Sequence, residues 1–233
     1  MNRNILVIGG ASYVGSHVIE FLKDDFQFDT PSSQDLNLLD QPSIERYLNQ
    51  SDSPVVINFA AVADVDGAEK ESGDKNGLVY KLNSEAVGDL AEVCKSLKKY
   101  LIQISTDYVF DGQKDDLPYT EEDKANPINW YGMTKYLGEQ AFFESGCDGA
   151  IIRPEMPFTA KAAKKGDFVR FFYNSLSAGK SITTPTDNKI TPLFLDDLAP
   201  VLKAFIHKKP HGIYHVATPT ATTPYDFAKK MAA

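Results

Sequence analysis

The sequence predicts an α/β fold: a doubly wound parallel sheet with helices on both faces, followed by a small C-terminal lobe. Three observations predict it. Short apolar runs alternate with helix-like segments as far as residue 155, the rhythm of repeated βαβ units. The first run, Ile5 to Ile8, passes straight into a glycine-rich turn, GGASYVG at 9–15. The 233 residues, 42% of them hydrophobic, suffice for one large core or for one core with an appended lobe.

In chain order, NILVIGG (4–10) is the first strand and YVGSHVIEFLK (13–23) the first helix. After a second strand and a further helical stretch, VVINFAA (55–61) is the third strand. GLVYKLNSEAVGDLAEVCKSLKK (77–99) is helical and leads into the strand YLIQIS (100–105). The helix around YGMTKYLGEQAFF (131–143) precedes the strand GAIIRP (149–154), which puts at least five strands before residue 155. FTAKAAKKGDF (158–168) breaks the rhythm, either as a mobile loop or as the entry to a second lobe. Beyond it come a helix FVRFFYNSLSAG (168–179), a Thr/Pro-rich strand region, a helix DDLAPVLKAFIH (196–207) and a strand GIYHVA (212–217). A last helix takes Thr223 as its N-cap and Pro224 at its first position. It stops after about two turns without a stop signal, which predicts further chain beyond it.

The net charge is −8, divided as −14 over residues 1–158 and +6 over residues 159–233. That balance argues against a nucleic-acid binder, whose affinity rests on clustered Lys and Arg. The basic last third either faces an anionic small molecule or is a solvated lysine-rich surface. Cys94 and Cys147 fall in helix-like stretches without paired-motif spacing, so neither a disulfide framework nor a zinc site is expected. No other metal site is expected. The opening apolar run is too short for a signal peptide or a membrane span, so a cytoplasmic setting without a membrane partner fits. A homodimer is allowed.

In a dinucleotide-binding turn the glycines serve a tight turn, a close backbone approach to the pyrophosphate and helix–strand packing. Here the spacing is Gly9, Ser12, Gly15, with Gly10 adding backbone freedom. Ser12 costs little if its φ is negative, and its N–H still points from a helix N-terminus toward an anion. A simple strand–turn–helix joint reads the same way. NWYGMTKYLGE places Tyr131 and Lys135 four apart on one helix face, where a nearby ammonium brings the tyrosine pKa down toward the working range. Tyr131 can then protonate a carbonyl oxygen as hydride reaches its carbon. QISTDYVFDG sits at a buried strand's end, where open α/β sheets bind ligands.

Together, STDYVFDG, the Tyr-Gly-x-Thr-Lys element, NFAAVADVDGAEKE, KLNSEAVGDLAEVC, IIRP and GIYHVATPTATTPYDFA resemble the extended short-chain dehydrogenase/reductases, and within them the dTDP-4-dehydrorhamnose reductases. The resemblance spans nearly the whole chain. It implies a Rossmann-type dinucleotide-binding domain over 1–157 and a substrate-binding lobe over 158–233, interleaved with the core. It also implies reduction of the 4-keto group of a nucleotide-diphosphate-linked deoxysugar with NADP or NAD. Tyr131 is then the proton donor, and Lys135 tunes it and bonds the nicotinamide ribose, while Thr106, with Ser105 beside it, polarises the substrate carbonyl. Gly9, Ser12, Tyr13, Val14, Asn37, Leu38, Ala60, Ala61 and Ser105 are implied on the coenzyme, with Asn37 standing where the family more often has an acid. Asp107, Val109, Met156 and Arg170 are implied on the substrate, with Phe168, Pro192 and Phe194 lining its side. Asn83 resembles a position that supports the active-site strand, and it reads equally as a helix cap.

Coenzyme choice turns on the loop after strand two, where DTPSSQD offers Asp29 too early and Ser32-Ser33 near the expected place. Serines do not repel a 2′-phosphate, which slightly favours NADP. PEMPF (154–158) departs from the family's Thr-Ser-Trp-Val-Tyr, with Met156 for a tryptophan and Glu155 adding a charge. The alternatives are an epimerase or dehydratase of the same superfamily, or a non-catalytic coenzyme-binding subunit similar to the methionine adenosyltransferase β-subunit. Asp66 and Glu69 suit a metal or subunit contact, or are simply exposed acids.

Overall fold

The computed structural model describes residues 3–114, 118–160 and 167–232. β1 (Asn4–Ile8) is buried from Ile5 onward, and its side chains alternate between two cores. Ile5 and Val7 join one, Leu6 and Ile8 the other. A strand has two faces, so an unbroken apolar run demands helices on both. The chain turns at Gly9 into α1 (Tyr13–Leu22), which Ser12 caps by accepting from Gly15 N at 3.1 Å.

β2 (Gln27–Asp29) pairs on one side of β1; α2 (Gln41–Gln50) crosses back, and β3 (Val55–Asn58) pairs on the other side. α3 (Val65–Glu69) and α4 (Leu78–Tyr80) follow, and a π-helical turn over Lys81–Glu85 joins α4 to α5 (Ala86–Ser96). Next come β4 (Tyr100–Ile104), a 3-10 turn (Asp107–Val109), α6 (Trp130–Ser145) and β5 (Gly149–Pro154). Gly146, at φ 66°, ends α6 in the left-handed cap that only a residue without Cβ adopts freely. The remainder is α7 (Phe168–Ser177), α8 (Leu195–Lys208), β6 (Gly212–Val216) and α9 (Pro224–Ala232).

Among the described residues the six strands form one parallel sheet, β2-β1-β3-β4-β5-β6. This is the doubly wound Rossmann-type sheet. One face buries Val18, Leu22, Leu198 and Leu202 from α1 and α8; the other buries Ile44, Leu48, Leu90 and Phe142 from α2, α5 and α6. Leu6, Val7, Val56, Ile57, Leu101 and Ile102 are wholly buried, and each contributes roughly 1.5–3 kcal/mol, which makes the sheet a rigid platform for the loops at its ends.

The C-terminal third does not stand apart. β6 extends the sheet and α8 lies on α1, where His17 Nε2 meets Asp196 Oδ1 at 2.7 Å. Three expectations need correcting or qualifying. The Thr/Pro-rich region before α8 is not a strand, because it makes only single bridges, Ile190 to Thr222 and Phe194 to Phe158. Cys147 is not helical, since Gly146 has already ended α6. The break expected at 158–168 falls partly on residues 161–166, outside the described residues. Thr223 does cap α9, accepting from Asp226 N at 3.0 Å, with Pro224 as first residue. No helix among the described residues is long and apolar enough to cross a membrane.

Candidate active site

The chain leaves β1 toward β2 on one side and returns through β3 on the other, so the strand order reverses between β1 and β3. A crevice opens there at the carboxyl ends of the strands, where ligands bind in such sheets. Gly9 fills the β1 end at φ 72°, and a Cβ on it would sit 2.7 Å from Ala60 N. The first turn of α1 presents its N–H groups to the same crevice. Ser12 has φ −68°, so the residue in place of the middle glycine is unstrained. Its oxygen serves as the helix cap, and its hydroxyl hydrogen is still available to an acceptor. A tight glycine turn, an unstrained Ser12 and a helix N-terminus make a cradle that fits a pyrophosphate.

The β3 end is held as carefully. Asn58 Oδ1 accepts from Ala60 N at 3.0 Å while its Nδ2 donates to Gln103 Oε1 at 2.9 Å. Asn83, on the π-helical turn, accepts from Val62 N at 2.9 Å and donates to Val62 O at 3.0 Å. That clamp keeps Ala60 and Ala61 beside Gly9. Asn83 also reaches Thr134 on α6 at 3.2 Å, which ties the loop to the helix carrying Tyr131 and Lys135.

Asp29, the last residue of β2, accepts from Tyr47 Oη at 2.7 Å and from Ser51. Ser32 donates through both N and Oγ to Asp35, at 3.1 and 2.6 Å, and these bonds hold the Asp35 carboxyl below the usual carboxylate range. Asn37 closes a small turn by accepting from Leu39 N, and the Leu38 side chain packs in the core beside Leu6, Ile8 and Ile44. Asn37 is exposed and Leu38 is buried.

On the reacting side, Thr106 follows β4 as the N-cap of the 3-10 turn, and α6 begins against that turn. A Cβ on Gly132 would lie 2.1 Å from Tyr108 O, and this close approach puts the preceding Tyr131 beside the 3-10 turn. The Thr106 hydroxyl lies beside the Tyr131 phenol and pulls its pKa down, and the Tyr108 ring stands edge-on to it at 5.7 Å. Lys135 is buried and donates to Ile104 O at 2.7 Å. Burial pushes the Tyr131 pKa up to about 12, against the pull of Thr106, with Asp107 and Tyr108 adding to the rise. Burial pushes Lys135 down to about 8, with Glu139 opposing. The expectation that Lys135 lowers the phenol's pKa is therefore corrected: its ammonium is spent on a carbonyl, and desolvation dominates at both groups.

Ser105 faces the other way. Its hydroxyl bonds Glu139, which also holds Arg153 in a buried two-point ion pair at 2.8 and 2.6 Å. No local pattern marks this pair, because its partners lie on α6 and β5. Asp107 accepts from Thr106 Oγ1 at 3.1 Å, and burial, with Glu155 nearby, pushes its carboxyl up to about 7. Glu155 receives Thr191 N at 2.9 Å, and Met156 takes a left-handed φ of 40°. Val109 is fully buried in the 3-10 turn. Arg170 lies on α7 and donates to Ala160 O at 3.2 Å. Phe168 and Phe194 belong to an aromatic group around Phe158. Glu69 caps α6, accepting from Trp130 N at 2.8 Å, and Asp66 faces Tyr108.

A glycine turn stands at the switch point of a parallel sheet, and a buried tyrosine–lysine pair lies beyond the carboxyl end of β4; the chain is an NAD(P)-dependent oxidoreductase. Within that class it belongs to the RmlD substrate binding domain family, whose model matches residues 3–233. It is 33% identical to a probable low-salt glycan biosynthesis reductase of Haloferax volcanii, over 95% of this chain and 71% of that one. It is 30% identical to the dTDP-4-dehydrorhamnose reductase of Mycolicibacterium smegmatis, over 98% and 68%. Bovine methionine adenosyltransferase 2 subunit beta matches at 27%, over 99% and 72%. Among solved structures, the dTDP-4-dehydrorhamnose reductase of Bacillus anthracis in complex with NADP superposes with a TM-score of 0.90 at 26% identity, covering 99% of this chain and 80% of that one.

Proposed function

We propose that the protein reduces the 4-keto group of a nucleotide-diphosphate-linked deoxysugar, with Tyr131 as proton donor. The observation that carries this reading is the Thr106–Tyr131 contact at the end of β4, with buried Lys135 one helical turn away. The coenzyme supplies hydride when bound. Gly9, Ser12, Tyr13 and Val14 hold its pyrophosphate, Ala60 and Ala61 leave room for it, and Asn37 and Leu38 flank the adenine with backbone. Lys135 orients the nicotinamide ribose while its charge offsets the negative charge left on Tyr131 after transfer. Thr106 donates to the substrate oxygen, and Tyr131, fully protonated at neutral pH, gives that oxygen its proton. Ser105 keeps its strand end in place through Glu139 rather than touching the coenzyme.

Asp107, Val109 and Met156, beyond the ends of β4 and β5, form the substrate side together with Arg170 from the lobe that begins near residue 158. NADP is the favoured coenzyme: Asp29 is tied to Tyr47, and a related reductase was solved with NADP. A cytoplasmic setting suits a soluble sugar-nucleotide substrate. The test is to mix pure protein with NADPH or NADH and dTDP-, GDP- or UDP-linked 4-keto sugars while following nicotinamide absorbance. Oxidation with one of them is the expected result, and none with any would end this reading. The likeness to methionine adenosyltransferase 2 subunit beta favours a second reading, a coenzyme-binding regulatory subunit. Stable co-purification with a larger catalytic partner, without reductase activity, would select it.

A further inference from the structure

Tyr13 is the first residue of α1, so its backbone belongs to the coenzyme cradle, but its side chain leaves the cradle altogether. The phenol donates to Asp167, across 154 residues of chain. Asp167 is the N-cap of α7: Oδ1 accepts from Arg170 N at 2.7 Å, while Oδ2 accepts from both Tyr13 and Thr159 N, the latter at 3.3 Å. Burial and the adjoining carboxylate both push the Tyr13 phenol up, so it remains a donor at any working pH.

The carboxylate's other neighbours are fixed. Phe158 N donates to Leu193 O and Leu195 N to Phe158 O, both at 2.9 Å, which roots the segment before Thr159 beside the start of α8. α7 itself meets the rest of the lobe through Phe168, which packs with Phe158 and Phe227 and with Phe172 on its own helix. Phe171 and Tyr173 on the same helix are exposed. The first turn of α7 is therefore held to its own lobe by aromatic packing and by hydrogen bonds with Thr159 and Ala160, and to the coenzyme loop by the bond from Tyr13.

We propose that the Tyr13–Asp167 hydrogen bond couples coenzyme occupancy at the N-terminus of α1 to the position of α7, making Asp167 a positioning residue for the substrate side of the cleft. An anion on the N–H groups of the first turn of α1 fixes the backbone of Tyr13. Tyr13 then fixes Asp167, and Asp167 fixes the helix that carries Arg170. The bond gives the two ligands a shared element, so coenzyme binding favours sugar-nucleotide binding and the reverse, by linkage. The proposal rests on the coenzyme and substrate sides assigned above.

The test is amide hydrogen exchange over residues 168–177, with and without saturating NADPH, in wild type, Tyr13→Phe and Asp167→Ser. Serine still caps α7, since it accepts from an N3 amide, but is too short to reach Tyr13. NADPH slows exchange in α7 at least fivefold in wild type and less than twofold in both variants, while Asp167→Ser, which lies outside the coenzyme cradle, binds NADPH within threefold of the wild-type Kd. A variant that keeps the full coenzyme-dependent slowing overturns the coupling, even if its exchange without NADPH is faster throughout. Tight NADPH binding to wild type with no change in α7 overturns the coupling and leaves the reductase reading standing. Failure of wild type to bind NADPH overturns both.

Discussion

Gly9→Ala isolates the coenzyme cradle from the rest of the fold. Gly9 sits at φ 72°, where an L-residue costs roughly 1–2 kcal/mol. The added methyl would also lie 2.7 Å from Ala60 N and 2.9 Å from Phe59 C, against an ordinary contact near 3.4 Å or more. Both neighbours are backbone at the end of a buried strand, so it is the glycine turn that gives way. Moving it carries the first N–H groups of α1 off the pyrophosphate position. Losing a single charge-assisted hydrogen bond there is worth about 1.5–3 kcal/mol, a factor of ten to a hundred in Kd. The strain alone lowers the melting temperature by about 3–6 °C for a chain of this size. Fluorescence titration with NADPH gives the first quantity and a thermal melt the second. Binding within twofold of wild type would refute the placement of the pyrophosphate at this turn.

Ser12→Gly removes a helix cap at a position with ordinary φ; it should cost a few tenths of a kcal/mol in a melt and change the NADPH Kd by less than threefold. Free-enzyme kcat/KM should fall as pH rises through about 8, where Lys135 loses the ammonium its role requires, while Tyr131 at about 12 stays protonated throughout; a pH–rate profile without a basic limb near 8 would contradict this. The same depressed pKa means that the unfolded chain binds the extra proton between about pH 8 and the ordinary lysine value, so this group makes stability rise with pH across that window, as denaturant titrations at two pH values would show. Glu139→Gln leaves Arg153 buried without its counter-charge and should cost about 3–5 kcal/mol of stability by chemical denaturation; a loss under 1 kcal/mol would show that the pair is not buried as described.

What the sequence displayed was local. The alternation of Ile5, Leu6, Val7 and Ile8, the turn after them and the four-residue spacing of Tyr131 and Lys135 are each contained in one element, and each stands as expected. The failures came from contacts between elements. Nothing near Lys135 signals that its ammonium meets Ile104 O, 31 residues away, or that burial outweighs any pull on the Tyr131 phenol, so the direction of the tyrosine's shift was misread. Nothing near Ser105 signals its bond to Glu139, 34 residues on. Asn83 read equally as cap and as support, and only the fold shows that both its amide atoms go to Val62. The Thr/Pro-rich stretch before α8 has β-branched residues but no continuous neighbour to pair with, and propensity alone could not reveal that.

The most direct measurement of the central claim is the NADPH-dependent reduction of a dTDP-linked 4-keto-6-deoxyhexulose by wild type and by Tyr131→Phe, each with its NADPH Kd determined alongside. A buried general acid contributes roughly 10²–10⁴-fold. The account predicts turnover by wild type and a fall in kcat of at least a hundredfold in Tyr131→Phe, with coenzyme affinity unchanged. Wild-type protein that binds NADPH tightly yet turns over no 4-keto sugar nucleotide, or a Tyr131→Phe variant that keeps full activity, would contradict it.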